Sequence, residues 1–255
     1  MQIVSWNMWV KNTRAIKNLQ DFLRDYPADV YCLQEVTAEV LTYIQDQNNH
    51  DFDYVYSFDY RKFKHGYYQN YYLVILSRHP IKNTKLNRIH VNHLTRESLW
   101  DWLMRWDESI EFQYADIEVK GTCYRIFNCH LELSAGPEVR MRQFEQCVEK
   151  FLPDGCNVVC GDFNIFANPH WNWFLWWAFG FKWREIKINE REIFEKRFAE
   201  LELQNPFLDQ ATFYERNLQL DHILVPSTYT VETREVIKNS YGSDHQPIWL
   251  TLASA

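Results

Sequence analysis

The amino-acid sequence predicts a mixed α/β sandwich, two packed β-sheets covered by helices. Three observations lead there. Strand-like runs, alternating or continuously apolar, dominate both halves of the chain. Helical segments are interspersed at intervals instead of following every strand, so a regular βαβ series does not fit. With 255 residues, 46% of them hydrophobic, and no linker rich in Pro, Gly or Ser, the chain can fill one large core, and a single domain over residues 1–255 is expected.

The first strand begins at Gln2 and runs through Ile3-Val4-Ser5-Trp6-Asn7. Ile16, Leu19, Phe22 and Leu23 then recur at helical spacing, and Pro27, which cannot continue a helix, stops them before a strand from Asp29 to Gln34. A second helix is expected from about Thr37 to Asp46, followed by strands at Tyr54 to Phe58 and Tyr71 to Ser77 and a turn at Arg78-His79-Pro80. Runs at Arg88 to Thr95, Ser109 to Val119 and Thr122 to His130 form a β-rich middle, with Gly121 turning the last two into a hairpin. Pro137 suits the first turn of a helix whose apolar face is Val139, Phe144, Cys147, Val148 and Phe151, ended by Pro153 and Gly155. Asn157 to Cys160 reads as a short buried strand, and the charges from Asn189 to Glu202 as a solvated helical face. Strands return at Asp221 to Val225, Tyr229 to Val236 and Ile248 to Leu252.

A formal net charge of -7 gives no broad basic surface for gripping long duplex DNA, while short, terminal or non-nucleic phosphodiesters remain compatible with it. The six cysteines include no Cys-x-x-Cys pair and sit mostly in apolar runs, so buried reduced thiols are expected instead of zinc ligands or disulfides. No charged start with an apolar signal core precedes the first strand, which reads as intracellular and cytoplasmic.

Four distant segments close apolar runs on side chains that suit a hard cation and a phosphate: Trp6-Asn7, Gln34-Glu35, Gly161-Asp162-Phe163-Asn164 and Ser243-Asp244-His245. Phosphodiester cleavage needs charge neutralisation on the phosphoryl oxygens, an activated water and help for the leaving oxygen. Mg²⁺ or Mn²⁺ is the expected cofactor, with Glu35 the main ligand and Asp244 the next. Asn7, Asp162 and His245 complete the metal-facing set, Asn7 through the water shell or by orienting Glu35. Asp162 is expected to orient or deprotonate the attacking water, and Asn164, two residues on, to point the same way and donate to the phosphate. His245 donates to a non-bridging oxygen if a carboxylate holds its ring, and Asp221 in Leu220-Asp221-His222-Ile223-Leu224 is the expected partner. His130 is a further phosphate-contacting or transition-state-stabilising donor, and Arg140 a further phosphate contact.

Taken singly, each of these pieces is common in ordinary loops, and a lone histidine at a strand end is usually structural. Their joint occurrence, each beside an apolar strand, moves the balance to catalysis. At Trp6-Asn7, Gln34-Glu35, Asn128 to Leu131, Gly161 to Asn164, Leu220 to Leu224 and Ser243-Asp244-His245 the chain resembles the endonuclease/exonuclease/phosphatase superfamily, over nearly its whole length. The resemblance implies a four-layer αββα sandwich of two mixed sheets flanked by helices, one metal-dependent site at the strand ends, and the roles given above. Apurinic-site nucleases usually carry a tyrosine-containing segment where this chain has Asn128-Cys129-His130-Leu131-Glu132, which is more similar to the DNase, tyrosyl-DNA phosphodiesterase, deadenylase and sphingomyelinase branches. The run from His130 to Gln143 resembles tyrosyl-DNA phosphodiesterase, while Phe163 stands where that enzyme has threonine.

Substrate choice is less legible. The segment Trp171 to Trp183 is dense in aromatic residues, which suit stacking on bases, contact with a lipid interface, or packing of a helix on the sheet edge; packing is the expectation for most of them. Trp100, Trp102 and Trp106, and Tyr67, Tyr68, Tyr71 and Tyr72 beside Arg61-Lys62-Phe63-Lys64-His65, read as solvated hairpins with half-buried rings. The expected function is a nuclease or nucleic-acid end-processing phosphodiesterase, its partner a single-stranded or terminal nucleic acid. A sphingomyelinase-like or inositol-phosphate phosphoesterase is the alternative, and a catalytically silent binding module the bland one.

Overall fold

Two strands can pair in parallel only when a crossover carries the chain back to the starting edge, and the chain does this twice. β1 (Gln2–Asn7) and β2 (Val30–Thr37) pair in parallel across helix α1 (Ala15–Asp25), and β8 (Thr122–His130) and β9 (Cys156–Asp162) across helix α3 (Pro137–Val148). The computed structural model describes residues 1–46, 51–64, 67–88, 106–107, 111–153, 155–166, 185 and 187–253. The other elements are α2 (Ala38–Asp46), β3 (Asp53–Lys64), β4 (Tyr67–Ser77), β5 (Ile81–Arg88), β6 (Trp106–Asp107), β7 (Glu111–Val119), α4 (Glu190–Glu200), β10 (Leu203–Gln204), β11 (Asp221–Pro226), β12 (Val231–Val236) and β13 (Ile248–Leu252). One sheet has the order β12-β13-β1-β2-β4-β3-β6 and the other β10-β11-β9-β8-β7-β5, each mixed, with the remaining pairs antiparallel.

The four expected layers follow from strands that are apolar on both faces. Ile3, Val30, Cys32, Ile75, Ile126, Val158, Cys160, Ile223 and Ile248 point between the sheets. Their neighbours Val4, Tyr31, Leu33, Val74 and Leu76 point outward onto Leu19 and Phe22 of α1 and Val40 and Leu41 of α2. On the opposite side Phe127, Cys129, Val159 and Leu224 meet Phe144 and Cys147 of α3 and Phe194 and Phe198 of α4. Each buried side chain of this size contributes about 1.5–3 kcal/mol relative to exposure, so helices on both outer faces are required by the sequence. Among the described residues no helix is long and apolar enough to cross a membrane.

Several boundaries differ from the sequence reading. Thr37 ends β2 and caps α2, its Oγ1 accepting from Val40 N at 3.3 Å. The tyrosines read as a solvated hairpin do lie in one, the long β3–β4 hairpin, where Tyr67 and Tyr68 are exposed while Tyr71 is buried. β5 precedes the expected Arg88 to Thr95 run, of which residues 89–95 lie outside the described residues, as do Trp100, Trp102 and Trp171 to Trp183. The face of α4 read as solvated is buried at its start: Glu190 is 0% exposed and forms a two-pronged ion pair with Arg140 of α3, Nε to Oε1 at 2.7 Å and Nη2 to Oε2 at 2.8 Å. Arg140 also donates to the carbonyls of Glu132, Leu133 and Ala135. It is therefore not the expected phosphate contact: its guanidinium is consumed in joining α3 to α4, where removing one partner of such a pair costs about 3–5 kcal/mol. Of the cysteines, Cys123 is exposed and the others are buried free thiols.

His222 of β11 is fully buried, stacked on Phe163 with ring centroids 4.7 Å apart. Its Nδ1 donates to the Leu220 carbonyl at 2.9 Å and its Nε2 lies 2.7 Å from Nη1 of Arg191, which can only donate, so the ring is neutral. Burial, then the Arg191 charge, hold its pKa well below the ordinary value. The unfolded chain takes up that proton near the ordinary pKa of about 6.5 and the folded chain does not, so this contribution to stability is present above about pH 6.5 and is lost as pH falls below it. The slope is expected to approach ~1.4 kcal/mol per pH unit. Urea unfolding of wild type and His222→Gln across that window checks it: equal slopes would show that the ring is protonated in place.

Candidate active site

The two parallel pairs bring their carboxyl ends to one edge of the sandwich, the place where open α/β sheets gather ligands. β1 ends on Asn7, β8 on His130 and β9 on Asp162, with His130 opposite Asp162 in register. β11 starts on Asp221, which pairs antiparallel with Asp162. The loop before β13 is pinned beside them, since the Ser243 hydroxyl donates to the Asn7 carbonyl at 2.7 Å and accepts from His245 N at 3.0 Å. Beneath the edge the sheets are joined by buried amides. Gln34 Nε2 donates to Asn128 Oδ1 at 2.8 Å, and Asn128 Nδ2 to the carbonyls of Leu33 and Val74 at 2.9 and 3.1 Å.

Asp162 is the centre of the cluster. Its Oδ1 accepts from Asn164 N at 3.0 Å and its Oδ2 from Asn7 Nδ2 at 3.0 Å. Two imidazoles face Oδ2 without touching it, His130 Nε2 at 3.8 Å and His245 Nε2 at 3.7 Å. Each ring is held from behind by its own carboxylate: Asp221 Oδ2 lies 2.8 Å from His245 Nδ1, and Asp59 lies 3.0 and 3.1 Å from His130 Nδ1. Thr212 Oγ1 fixes Asp221 in turn, accepting from the backbone N–H of Leu220 and Asp221 at 3.0 Å each. Burial alone would lower the His245 pKa, but Asp221, Asp162 and Asp244 outweigh it and lift it to about 10. The same contest at His130, burial against Asp59, Asp162 and Glu35, leaves it well above the ordinary value. Two imidazolium N–H groups thus point at one small volume, which suits an anion.

Glu35 does not stand at a strand end as the sequence suggested. β2 continues to Thr37, and the pairing with β4 shifts register between Leu33 and Val36, a bulge in which Glu35 takes φ +54°. Bulges re-aim a side chain that regular pleating would send elsewhere. The Glu35 carboxylate accepts from Val10 N at 2.9 Å and Asn7 Nδ2 at 3.3 Å, and its own N–H donates to Asp59 Oδ2 at 3.2 Å. Desolvation raises its pKa, opposed by His130. Asp244 is lifted to about 6, by burial first, with His245 opposing and the Glu35 charge adding to the rise.

Crowding of carboxylates tests whether a divalent ion fits here. Oδ1 of Asp244 and Oδ1 of Asp221 are buried without a hydrogen-bond partner. Such orphaned oxygens are costly unless something positive meets them. Asp162, Asp221 and His245 present ligand atoms within 4.8 Å of one another. His245 and Asp221 already spend Nδ1 and Oδ2 on each other, so the oxygen donors of Glu35 and Asp244, with Asp162 beside them, are the better match to a hard cation. Asn7 is placed to orient two carboxylates, its Oδ1 accepting from Trp9 N at 3.0 Å.

Asn164 departs from the sequence reading. β9 ends at Asp162, so the alternation of side chains stops there; Asn164 takes φ +51° and its Nδ2 donates to the Leu131 carbonyl at 2.8 Å. Asp59 was missed, and nothing in Phe58-Asp59-Tyr60 distinguishes it by type. Its placement depends on the irregularity between Phe58 and Arg61 in the β3–β4 pairing, which aligns it with His130. A carboxylate that follows Val55 and Ser57 at alternate positions, on the face that strand alternation turns inward, is the one available signal.

The profile of the Endonuclease/Exonuclease/phosphatase family matches residues 4–245. Among solved structures, an endonuclease/exonuclease/phosphatase family protein from Leptotrichia buccalis aligns with TM-score 0.71 and 16% identity, covering 100% of both chains. TDP2 from D. rerio, complexed with a single-strand DNA product, aligns with TM-score 0.65 and 15% identity over 100% of this chain and 99% of its own. The 3′ phosphatase NExo from Neisseria, bound to a product DNA hairpin, gives TM-score 0.65 and 18% identity with 100% of both chains covered. No curated protein matches the chain by sequence. At these identities the structural likenesses speak for the fold.

Proposed function

Because the chain belongs to the endonuclease/exonuclease/phosphatase family, we propose that it is a Mg²⁺- or Mn²⁺-dependent phosphodiesterase that hydrolyses nucleic-acid ends or single strands. The observation that carries the reading is the pair of Asp–His dyads aimed at Asp162 beside orphaned carboxylate oxygens. The DNA products bound by TDP2 and NExo support a nucleic-acid substrate.

Glu35 and Asp244 are the proposed metal ligands; held there, a divalent ion would neutralise charge on the phosphoryl oxygens and make water more acidic. Asp162 holds the attacking water through the carboxylate oxygen that faces both imidazoles, and takes its proton at that atom. His245, charged and braced by Asp221, donates from Nε2 to a non-bridging phosphoryl oxygen, and His130, braced by Asp59, donates from the other side. Water attacks in line, and no side chain in the cluster is placed as a covalent nucleophile.

Hydrolysis is to be measured with Mg²⁺ and with Mn²⁺ on plain and 5′-tyrosyl single-stranded DNA, duplex DNA, RNA, sphingomyelin and inositol phosphates. The expected outcome is metal-dependent turnover of the single-stranded or terminal nucleic acids, abolished by EDTA. Turnover confined to sphingomyelin or inositol phosphates would keep the chemistry and replace the substrate, and silence on the whole panel would leave a binding module.

Asp59 is a positioning residue in this scheme. Asp59→Asn keeps its size but removes the charge that offsets burial at His130, so the imidazolium loses its proton at lower pH. The alkaline limb of the pH–rate profile should move to lower pH and kcat fall by about 10- to 100-fold. A profile superimposable on wild type would show that His130 does not act charged.

A further inference from the structure

Trp9 is a bulky aromatic residue in a left-handed backbone conformation, φ +60°, at the rim of the site. Side chains of this size are rare there because Cβ crowds the backbone, while Asn or Gly occupies it readily. The turn is nevertheless held from every side by the site itself. Trp9 N donates to Asn7 Oδ1 at 3.0 Å, Val10 N to Glu35 Oε2 at 2.9 Å, and Asn12 N to the Trp9 carbonyl at 2.9 Å. The backbone of Trp9 is therefore coupled to the two side chains that border Asp162.

Among the described residues its ring takes no part in the core. Trp6, three residues earlier, is fully buried against Phe22, whereas Trp9 is partly exposed and joins none of the apolar clusters among the described residues. Among the described residues its ring meets the Lys11 ammonium, 5.6 Å from the indole centroid. An indole face beside a lysine, on a turn bonded to Asn7 and Glu35, combines the two elements by which unpaired nucleotides are gripped, a stacking platform and a backbone-tracking cation.

We propose that Trp9 and Lys11 form a base-stacking subsite, the indole taking the unpaired nucleobase next to the scissile phosphate and Lys11 the neighbouring phosphate. This rests on the nucleic-acid reading above and adds to it that bases, and not the backbone alone, are recognised.

The test compares KM and kcat, with Mg²⁺, on single-stranded oligodeoxyadenylate and on the same strand built of abasic tetrahydrofuran nucleotides. Wild type is expected to show a KM about 10- to 100-fold lower on the base-bearing strand. Trp9→Asn should raise that KM to the abasic value, and Trp9→Phe should recover most of the preference. Because Asn suits the left-handed conformation, Trp9→Asn should melt at or above wild type, whereas a merely structural tryptophan would lower the melting temperature and impair both strands alike. Retained base preference in Trp9→Asn, or that structural pattern, overturns the subsite. Equal KM on the two strands by wild type overturns it while leaving the nuclease reading intact; no turnover of either strand overturns both.

Discussion

Asp162→Asn should lower kcat for metal-dependent hydrolysis by about 10³-fold or more while leaving the folded state in place. The size follows from how many groups converge on this one carboxylate. Asn7 and the Asn164 backbone fix its two oxygens, and both imidazoles face Oδ2 at 3.7 and 3.8 Å, too far for a good hydrogen bond and near enough to share a water or a phosphoryl oxygen. Asparagine preserves the shape and an acceptor for Asn164 N, yet it cannot take a proton from water. Stability should fall only modestly in metal-free buffer: the two buried imidazoles lose one facing carboxylate, while Asp59 and Asp221 still hold them. Single-turnover assays at saturating Mg²⁺, with urea unfolding alongside, check both halves. Activity within about tenfold of wild type would remove Asp162 from the reaction.

What the sequence revealed and what it concealed divide along a physical line. Apolar periodicity is local, so β1, β2, β8, β9, α1 and α3 were legible, and with them the side chains that close those runs: Asn7, Glu35, His130 and Asp162. The His245–Asp221 partnership was also legible, because both residues sit beside well-marked strands. Irregularities of pairing were not. The Glu35 bulge and the shift between Phe58 and Arg61 that brings Asp59 to His130 depend on which strand lies opposite, and the left-handed turns at Trp9 and Asn164 on hydrogen bonds to groups distant in sequence. Arg140 illustrates the complementary error. A helix-borne arginine after a histidine-led segment reads as an anion contact until the carboxylate of Glu190, fifty residues away in sequence, is found paired with it.

The same division makes Gly161 the most consequential residue without a side chain. It has φ +143°, and a Cβ built on it would lie 1.8 Å from the Cys129 carbonyl oxygen and 3.0 Å from Cys129 N, backbone atoms that cannot swing aside. Gly161 pairs with Cys129 in the parallel register, one step before His130 meets Asp162. Gly161→Ala must therefore part β8 from β9 at the point where they deliver two site residues. Overpacking and a disfavoured dihedral together should cost roughly 3 kcal/mol or more. Displacement of the strand ends by about 1 Å should lower kcat by a further ~100-fold at temperatures where the protein is still folded. Gly121→Ala is the control, since Gly121 also has positive φ, +84°, but nothing lies within 4 Å of its added Cβ. It should lose about 1 kcal/mol and keep its turnover. If Gly161→Ala behaved like Gly121→Ala in urea unfolding and in kcat, the close approach of β8 and β9 would not be what aligns His130 with Asp162.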